Sequence, residues 1–237
     1  MDPFSRTQLL LGSSAMEILK NARVAVFGLG GVGGYVVEAL ARSGVGALDL
    51  IDHDTVSPTN INRQIFALHS TLGLPKAEAA KARVLDINPQ AKVTAYNTFY
   101  SPDTADTFDF SGYDYIVDAI DTVTAKLALI TRAKATGTPI LCCLGTGNKL
   151  DATKFQITDI AKTSVCPLAR VMRKECAKRG LKGVKVLFST EDPISCEAGT
   201  EELPEGRRSL PGSVAFVPSV AGLLIAGEVI RDLCAKK

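Results

Sequence analysis

The chain has 237 residues, of which 46% are hydrophobic and 22% charged, and its formal net charge is +2. This length allows one hydrophobic core with at most a small extension, so we expect a single domain over residues 1–237. The ordinary composition excludes a disordered or low-complexity chain, and a total charge near zero says little about partners.

Cysteine and apolar patterns bear on the compartment. The six cysteines contain no C-x-x-C pair and no spacing typical of a secreted disulfide framework. Because no signal-peptide pattern is present at the N-terminus, we expect reduced thiols and a cytoplasmic location. The apolar run 214–227 is short and is interrupted by Pro218, which favours a core or subunit-interface helix over a membrane span.

The N-terminal segment is expected to lead into the first strand. Ser14 and Glu17 have the spacing of a capping box, which predicts a short helix from about Ser14 to Asn21. Arg6 lies upstream in a polar arm, where a lone arginine is usually just solvated.

A glycine run follows the apolar stretch Arg23–Phe27, which predicts a buried strand, and precedes a helical pattern at Tyr35–Ala41. Three of its glycines match the G-x-G-x-x-G pattern of a nucleotide-binding turn, namely Gly28, Gly30 and Gly33. Such a turn lets a phosphate approach the backbone at the start of a helix. The pattern alone does not distinguish an ATP site from a nicotinamide or flavin site.

Polar residues gather after the second predicted strand, Ala47–Asp52. Asp52 ends that strand at the ligand-facing edge of the sheet, where a carboxylate suits the hydroxyls of a ribose; a surface acid is the alternative. Asn60, Arg63 and Lys76 follow on a loop and at a helix start. Arginine makes two-pronged phosphate contacts and lysine adds a mobile charge, so this set favours more phosphate charge than a pyrophosphate carries.

A further strand is predicted at Tyr113–Ala119, and two aspartates lie at its end, Asp118 and Asp121. Near several phosphates, a carboxylate at this edge is most useful as a Mg²⁺ ligand, a role that we assign to Asp121. The alternative is that one of the two aspartates only caps the next helix, which Thr122 is also placed to cap.

The second half of the chain differs in charge. Residues 154–185 contain nine lysines and arginines against two acidic residues, a local charge of +7 on a mildly acidic body. A basic amphipathic helix is predicted at Pro167–Arg179, between strands at Phe155–Ile160 and Val184–Ser189, and a polar loop at Glu191–Gly212. The charge fits either a solvated helix face or a landing site for a polyanion such as RNA.

Together these elements predict an α/β fold, a doubly wound and Rossmann-like, mostly parallel sheet with a C-terminal strand and helix extension. In their order the motifs resemble the ThiF/MoeB/HesA family of ATP-dependent adenylating enzymes, which are relatives of ubiquitin-activating enzymes. The resemblance covers roughly residues 5–145. It implies an ATP-binding half at residues 1–145 and a half for substrate, tRNA and dimerisation at residues 146–237.

The resemblance also implies ATP and Mg²⁺ as cofactors, and a homodimer. The residues that would bind the nucleotide are Gly28, Gly30, Gly31, Gly33, Asp52, Asp54, Asn60, Arg63, Gln64 and Lys76. Those with catalytic roles would be Arg63, Lys76, Asp121 and Arg6. In this assignment Asp121 holds Mg²⁺ and Arg6 reaches across the homodimer into the partner's site.

Within the family the chain is most similar to the tRNA threonylcarbamoyladenosine dehydratases, on motifs such as Gln156–Thr163 and Val186–Glu191. This implies adenylation of the threonylcarbamoyl carboxylate by ATP, followed by cyclisation with loss of water to cyclic threonylcarbamoyladenosine. The basic residues that would meet the tRNA phosphates are Lys162, Arg170, Arg173 and Lys174. Because the nucleophile is internal, four cysteines are interpreted as buried or incidental, with a sulfur relay to a protein partner as the alternative: Cys142, Cys143, Cys166 and Cys176.

Three other functions fit parts of the pattern. A sulfur-carrier or ubiquitin-like protein adenylyltransferase would share the site, although such enzymes commonly carry two C-x-x-C zinc pairs that this sequence lacks. An NAD-dependent oxidoreductase would share the glycines and Asp52 but gives no reason for Arg63, Lys76 and Asp121 together. A non-catalytic nucleotide-binding scaffold would bind ATP without turnover.

Overall fold

The computed structural model describes residues 2–196 and 211–235. The helices in these ranges are α1 (Ser5–Leu11), α2 (Ser13–Asn21), α3 (Gly33–Arg42), α4 (Lys76–Ile87), α5 (Val123–Thr136), α6 (Pro167–Lys178) and α7 (Phe216–Ala235). The strands are β1 (Arg23–Phe27), β2 (Ala47–Ile51), β3 (Lys92–Tyr96), β4 (Tyr115–Asp118), β5 (Ile140–Cys143), β6 (Phe155–Asp159) and β7 (Lys185–Ser189). Helices and strands alternate along most of the chain, which is the pattern of a parallel α/β sheet.

One sheet carries these strands in the spatial order β3-β2-β1-β4-β5-β7-β6. Its neighbouring strands are parallel except for β6 and β7, which run antiparallel with Phe155 opposite Ser189. The order reverses between β1 and β4, and sheets of this kind bind ligands in the crevice beyond the strand ends at that point. The structure confirms the predicted doubly wound, mostly parallel α/β fold.

Two hydrophobic cores lie on opposite faces of the sheet, because side chains alternate along each strand. In β1, Val24 and Val26 face one core, whereas Ala25 and Phe27 face the other. Helices α3, α4 and α7 cover the first core, and α5 and α6 cover the second. Burying one large apolar side chain stabilises the fold by roughly 1.5–3 kcal/mol. Because each core contains many such side chains, the two cores together fix the strands and their ends.

Helix α7 returns to pack on α3 beside the glycine run. Gly222 lies so close that a Cβ there would overlap the carbonyl oxygen of Val32. Lys185 on β7 contacts the other end of α7, because its Nζ lies 2.8 Å from a Glu228 oxygen and 2.7 Å from an Asp232 oxygen. The last helix is therefore part of the layer that supports the first half of the chain.

The predictions for the helix starts are wrong in part. Arg6, predicted to lie in a polar arm, is on the helix α1, which buries none of its residues. Gly12 turns the chain directly into α2, so Ser14 is the second residue of that helix and the predicted capping box with Glu17 does not form. Thr122 does occupy the N-cap position of α5, but its side chain makes no capping hydrogen bond.

The C-terminal region extends the predicted apolar segment. Helix α7 continues to Ala235, beyond the apolar run, and its buried residues belong to the first core. Across the described ranges, none of the helices combines the length and apolar character needed to cross a membrane. Of the predicted loop at 191–212, residues 197–210 lie outside the described residues.

Candidate active site

The glycine turn between β1 and α3 lies at the carboxyl end of a central strand. Gly28 has a φ of +88°, and a Cβ there would come within 2.7 Å of the Ala119 carbonyl oxygen. A Cβ on Gly33 would overlap the carbonyl oxygen of Gly28, whereas the nearest atom to one on Gly30 is the Gln64 amide nitrogen, 3.9 Å away. The first turn of α3 has no side-chain cap. The turn therefore closes tightly and presents a helix start that suits an anion.

Asp52 is tied to this turn. Its Oδ2 accepts a hydrogen bond of 2.7 Å from the backbone N–H of Leu29, and its Oδ1 accepts one of 2.9 Å from the N–H of Asp54. Both bonds fix the carboxylate at the end of β2, beside the glycines. The position suits the ribose hydroxyls of a nucleotide whose phosphates lie at the turn.

The loop that carries Asn60, Arg63 and Gln64 folds over the same turn. The carbonyl oxygen of the buried Asn60 accepts a hydrogen bond of 2.9 Å from the N–H of Gln64, which closes the loop. The Cγ of Arg63 lies 3.4 Å from where a Cβ of Gly31 would stand. Its guanidinium donates to the carbonyl oxygen of Thr59 at 2.9 Å. The structure thus places Arg63 and Gln64 next to the glycines, and Asn60 holds the loop that carries them.

Lys76 is held at the site by a short β-bridge. Thr55 pairs with Pro75, and the N–H of Lys76 donates to the carbonyl oxygen of Asp54 at 2.9 Å. The side chain of Lys76 is only 7% exposed, and its Nζ lies 2.7 Å from the half-exposed carboxylate of Asp54. The Lys76 ammonium is therefore a buried cation that can also bind the phosphate oxygens of a nucleotide.

The segment from Asp118 to Asp121 leaves β4 against the glycine turn. The N–H of Ala119 donates to the carbonyl oxygen of Phe27 at 2.8 Å, and the N–H of Ile120 donates to Asp118 Oδ1 at 3.1 Å. Asp118 is fully buried and is therefore closed to a bound ion. The exposed carboxyl group at this edge is that of Asp121.

Lys126 on α5 is the buried partner of Asp118. Its Nζ lies 3.0 Å from Asp118 Oδ2 and 2.6 Å from the carbonyl oxygen of Cys143. Burial alone would lower the pKa of Lys126, but the attraction of the Asp118 carboxylate outweighs it and the pKa is raised. The lysine therefore stays charged inside the protein.

The cysteines near this pair are buried thiols. Burial raises the pKa of Cys142 well above its usual value and that of Cys143 to about 12. Because the thiolate is the reactive form, neither side chain is a nucleophile at neutral pH. The structure confirms burial for the four cysteines interpreted in this way: Cys142, Cys143, Cys166 and Cys176.

The basic residues of the second half lie on and before α6. Lys162, Arg170 and Lys174 are exposed. Arg173 differs, because its guanidinium donates to the carbonyl oxygen of Thr163 at 2.5 Å and to the hydroxyl of the same residue at 2.8 Å. Arg173 therefore ties α6 to the preceding turn, and the other three cations face solvent.

Carboxylates on two sides of the crevice are possible metal ligands. Asp121 follows β4, and the group Asp52, His53 and Asp54 after β2 offers ligand atoms within 4.8 Å of one another. In that group Lys76 lies 2.7 Å from Asp54, so an added cation meets a competing charge. Asp121 fits Mg²⁺, which binds proteins through one or two carboxylates and completes its shell with phosphate and water.

Lys126 is the residue near the site that sequence reasoning missed. Its position contains the signal, since Leu129, Ile130 and Ala133 lie on the same face of α5 and all three are buried. A lysine on such a face is almost never fully buried unless it is paired, so an internal acidic partner is expected.

Comparisons with known proteins cover almost the whole chain. The model of the ThiF family matches residues 4–237. The tRNA threonylcarbamoyladenosine dehydratase of Bacillus subtilis (strain 168) is 46% identical over 238 residues, which span 97% of this chain and 94% of that protein. The Escherichia coli (strain K12) protein of the same name is 36% identical over 251 residues, spanning 98% and 94%.

Solved structures give the same result. The crystal structure of the E. coli tRNA N6-threonylcarbamoyladenosine dehydratase TcdA in complex with ATP has a TM-score of 0.88 and 36% sequence identity to this chain. The match covers 98% of this chain and 94% of that one. The complex of the same enzyme with AMP has the same TM-score and coverage.

Proposed function

This chain belongs to the ThiF family, and on that premise we propose that it is an ATP-dependent tRNA threonylcarbamoyladenosine dehydratase. The observation that carries the proposal is the 46% identity to the Bacillus subtilis enzyme of that name, which extends over 97% of the chain. The site supports it, because the glycine turn, Arg63 and Lys76 surround a crevice suited to a nucleotide.

The reaction begins from a carboxylate, which is a poor electrophile at neutral pH. A carboxylate oxygen attacks the α-phosphorus of ATP, pyrophosphate leaves, and an acyl adenylate forms. A nucleophile within the same threonylcarbamoyl side chain then attacks the acyl carbon, AMP leaves with the bonding electrons, and one proton is released. The nucleoside therefore loses one water overall and becomes cyclic threonylcarbamoyladenosine.

The chain's own residues mostly position the reactants and neutralise charge. Asp52 orients the ribose, and the backbone of the turn 28–33 contacts the phosphates. Arg63 and Lys76 stabilise the charge that develops as pyrophosphate leaves. Of the other predicted nucleotide-binding residues, Asp54 holds Lys76 in place, and the buried Asn60 and Gln64 shape the loop over the turn.

Mg²⁺ is part of the proposal, with Asp121 as its protein ligand. Bound there, the ion would neutralise phosphate oxygens and orient the leaving pyrophosphate. The support for this assignment is the exposed carboxyl group that follows β4 next to the glycine turn. Asp118 takes no part as a ligand, because Lys126 occupies it.

The tRNA is proposed to bind the surface formed by Lys162, Arg170 and Lys174. Exposed cations on one helix and the turn before it suit a phosphate backbone. Arg173 contributes by fixing α6 through its bonds to Thr163. In this arrangement residues 1–145 bind the nucleotide, and residues 146–237 bind the substrate and form part of a dimer interface to which α1 also contributes, while one sheet carries strands from both halves.

A homodimer is supported by α1, which buries none of its residues and leaves Leu9 and Leu10 87% and 86% exposed. Apolar side chains of this size in solvent mark an interaction surface. Arg6 lies on the same helix, so a second copy of the chain that bound to α1 would lie beside this arginine. We propose a cytoplasmic location, which agrees with a tRNA substrate. The buried thiols give a sulfur-relay partner no accessible group among the four cysteines considered.

The test is mass spectrometry of nucleosides from tRNA that carries threonylcarbamoyladenosine. After incubation with the protein, ATP and Mg²⁺, we expect this nucleoside to lose the mass of one water. Omitting ATP is the control. ATP binding without that mass change contradicts the proposed function, and pyrophosphate exchange that depends on a small protein ending in Gly-Gly would indicate a sulfur-carrier adenylyltransferase instead.

A further inference from the structure

Lys126 is a charged side chain that the sheet and α5 enclose completely, with 0% of its surface exposed. Its Nζ contacts Asp118 at the end of β4, at 3.0 Å, and the carbonyl oxygen of Cys143 at the end of β5, at 2.6 Å. One ammonium group therefore joins the ends of two neighbouring strands to α5, the helix that lies between them in the chain. Being enclosed, it cannot touch a ligand itself.

The contact continues toward the nucleotide site through the chain between β4 and α5. The second oxygen of Asp118 accepts the N–H of Ile120 at 3.1 Å, and the N–H of Ala119 donates to Phe27 at 2.8 Å. The carbonyl oxygen of Ala119 lies 2.7 Å from where a Cβ of Gly28 would stand. Residues 118–120 are thus held in one conformation against the glycine turn, and Asp121 comes next.

Stability alone does not account for this pair. Removing two charges from water costs several kcal/mol per ion, and buried ion pairs are often replaced by apolar residues without loss of stability. The pair instead suits a positioning role. A lysine that must reach two acceptors allows only one relative placement of the two strand ends and α5.

We propose that Lys126 is a positioning residue, which fixes the segment from Asp118 to Asp121 and so sets where Asp121 meets the Mg²⁺ that accompanies ATP. The inference rests on the proposed function, in which Asp121 is the Mg²⁺ ligand. Groups that orient a metal ligand from behind typically contribute 10-fold to 100-fold to metal affinity.

The test compares Lys126→Met with the Asp118→Asn/Lys126→Met double variant. Calorimetry measures ATP affinity with Mg²⁺ and with EDTA, and thermal unfolding measures stability. The single variant leaves a buried carboxylate unpaired and is expected to unfold at a lower temperature, whereas the double variant regains most of that stability. We expect both to lose the gain in ATP affinity from Mg²⁺ by about tenfold or more, as Asp121→Ala does, with little change in EDTA.

Lys134→Met is the matched control, because Lys134 lies on the same helix and its Nζ donates to the carbonyl oxygen of Gly183 at 2.7 Å, away from the segment. Its Mg²⁺ dependence should equal that of the unmodified protein. A double variant with normal Mg²⁺ dependence would show that Lys126 serves stability alone, and ATP binding by the unmodified protein that ignores Mg²⁺ would equally overturn the inference. No tRNA is present in this assay, so failure of the dehydration reaction is a separate result.

Discussion

Two aspartate clusters on β2 and just beyond it show how one strand serves two purposes. Asp49, inside the strand, is 1% exposed and accepts hydrogen bonds from Arg23 and Tyr113, each at 2.8 Å. Asp54, three residues past the strand, is 50% exposed and contacts Lys76 at 2.7 Å. The protein closes the first cluster with its own groups and leaves the second open to solvent, so the first serves the fold and the second is available to a ligand.

The electrostatics of the closed cluster follow from its partners. The hydrogen bond to Asp49 raises the pKa of Arg23, in spite of burial. Burial raises the pKa of Tyr113, and the nearby Asp49 carboxylate raises it further. Arg23 therefore stays charged and Tyr113 stays neutral across the physiological range, as expected of a structural cluster.

The largest effect is expected from Asp121→Ala, at the exposed carboxylate that follows β4. Loss of the proposed Mg²⁺ ligand should lower kcat for dehydration by about 10³-fold, or ~4 kcal/mol, because phosphate charge is no longer neutralised. The unfolding temperature should stay within about 2 °C of the original, since the side chain is exposed. Unchanged turnover would refute the metal assignment, and Asp121→Asn tests whether charge or shape matters.

Lys76→Met should lower kcat by about 10²-fold to 10³-fold, as removal of one preorganised charge at a phosphoryl group does. Lys81→Met, on the same helix, is the control with normal turnover. The measurement pairs steady-state kinetics with thermal unfolding. If Lys76→Met lowered the free energy of unfolding by as much as it raised the activation free energy, Lys76 would be structural like Asp49. That result would contradict the proposed difference between the two clusters.

Asp49→Asn tests the opposite side. It weakens charged hydrogen bonds from Arg23 and Tyr113 and should lower the free energy of unfolding by about 2 kcal/mol. Urea unfolding measures that change, and kcat below the unfolding transition should remain within about twofold. A fall in kcat of more than about twofold in the folded protein would mean that the closed cluster affects the active site as well as the fold.

The Arg170→Glu/Lys174→Glu double variant should weaken tRNA binding by about tenfold, or ~1.4 kcal/mol, while ATP affinity stays unchanged. Fluorescence anisotropy at several salt concentrations measures it, and a shallower salt dependence is expected because fewer phosphates are contacted. Lys92→Glu, which reverses an exposed charge at the start of β3, is the control. Equal tRNA affinity in both variants would assign the cations of α6 to solvation alone.

The smallest effect concerns Glu38 on α3, a third carboxylate cluster that resembles the closed one. Burial alone would raise its pKa, but hydrogen bonds from Arg83 and Arg42 outweigh burial and lower it. The resulting stability, about 1 kcal/mol, is present above the unfolded pKa near 4.5 and is lost as pH falls through the lower folded value. Glu38→Gln should therefore be less stable than the original protein at pH 7, and urea unfolding should show this difference narrowing as the pH falls below about 4.5.

Local signals made much of this fold predictable. The strand β1, the glycine turn and α3 follow from apolar runs and glycine spacing, and Asp52 and Asp121 follow from where strands end. Non-local pairs were out of reach: the bridge from Thr55 to Pro75, which brings Lys76 to Asp54, joins segments that no periodicity links. Helix α1 was missed because it buries nothing, so its leucines give no core-facing pattern.

The packing of α7 on α3 has a consequence for synthesis. A chain emerging from the ribosome displays its glycine turn long before the helix that seats Gly222 against Val32 has been translated. Until then the part of α3 that packs against α7 is exposed, which favours chaperone binding or aggregation. A chain truncated before α7 is therefore expected to misfold and be degraded, and not to fold into an enzyme of reduced activity.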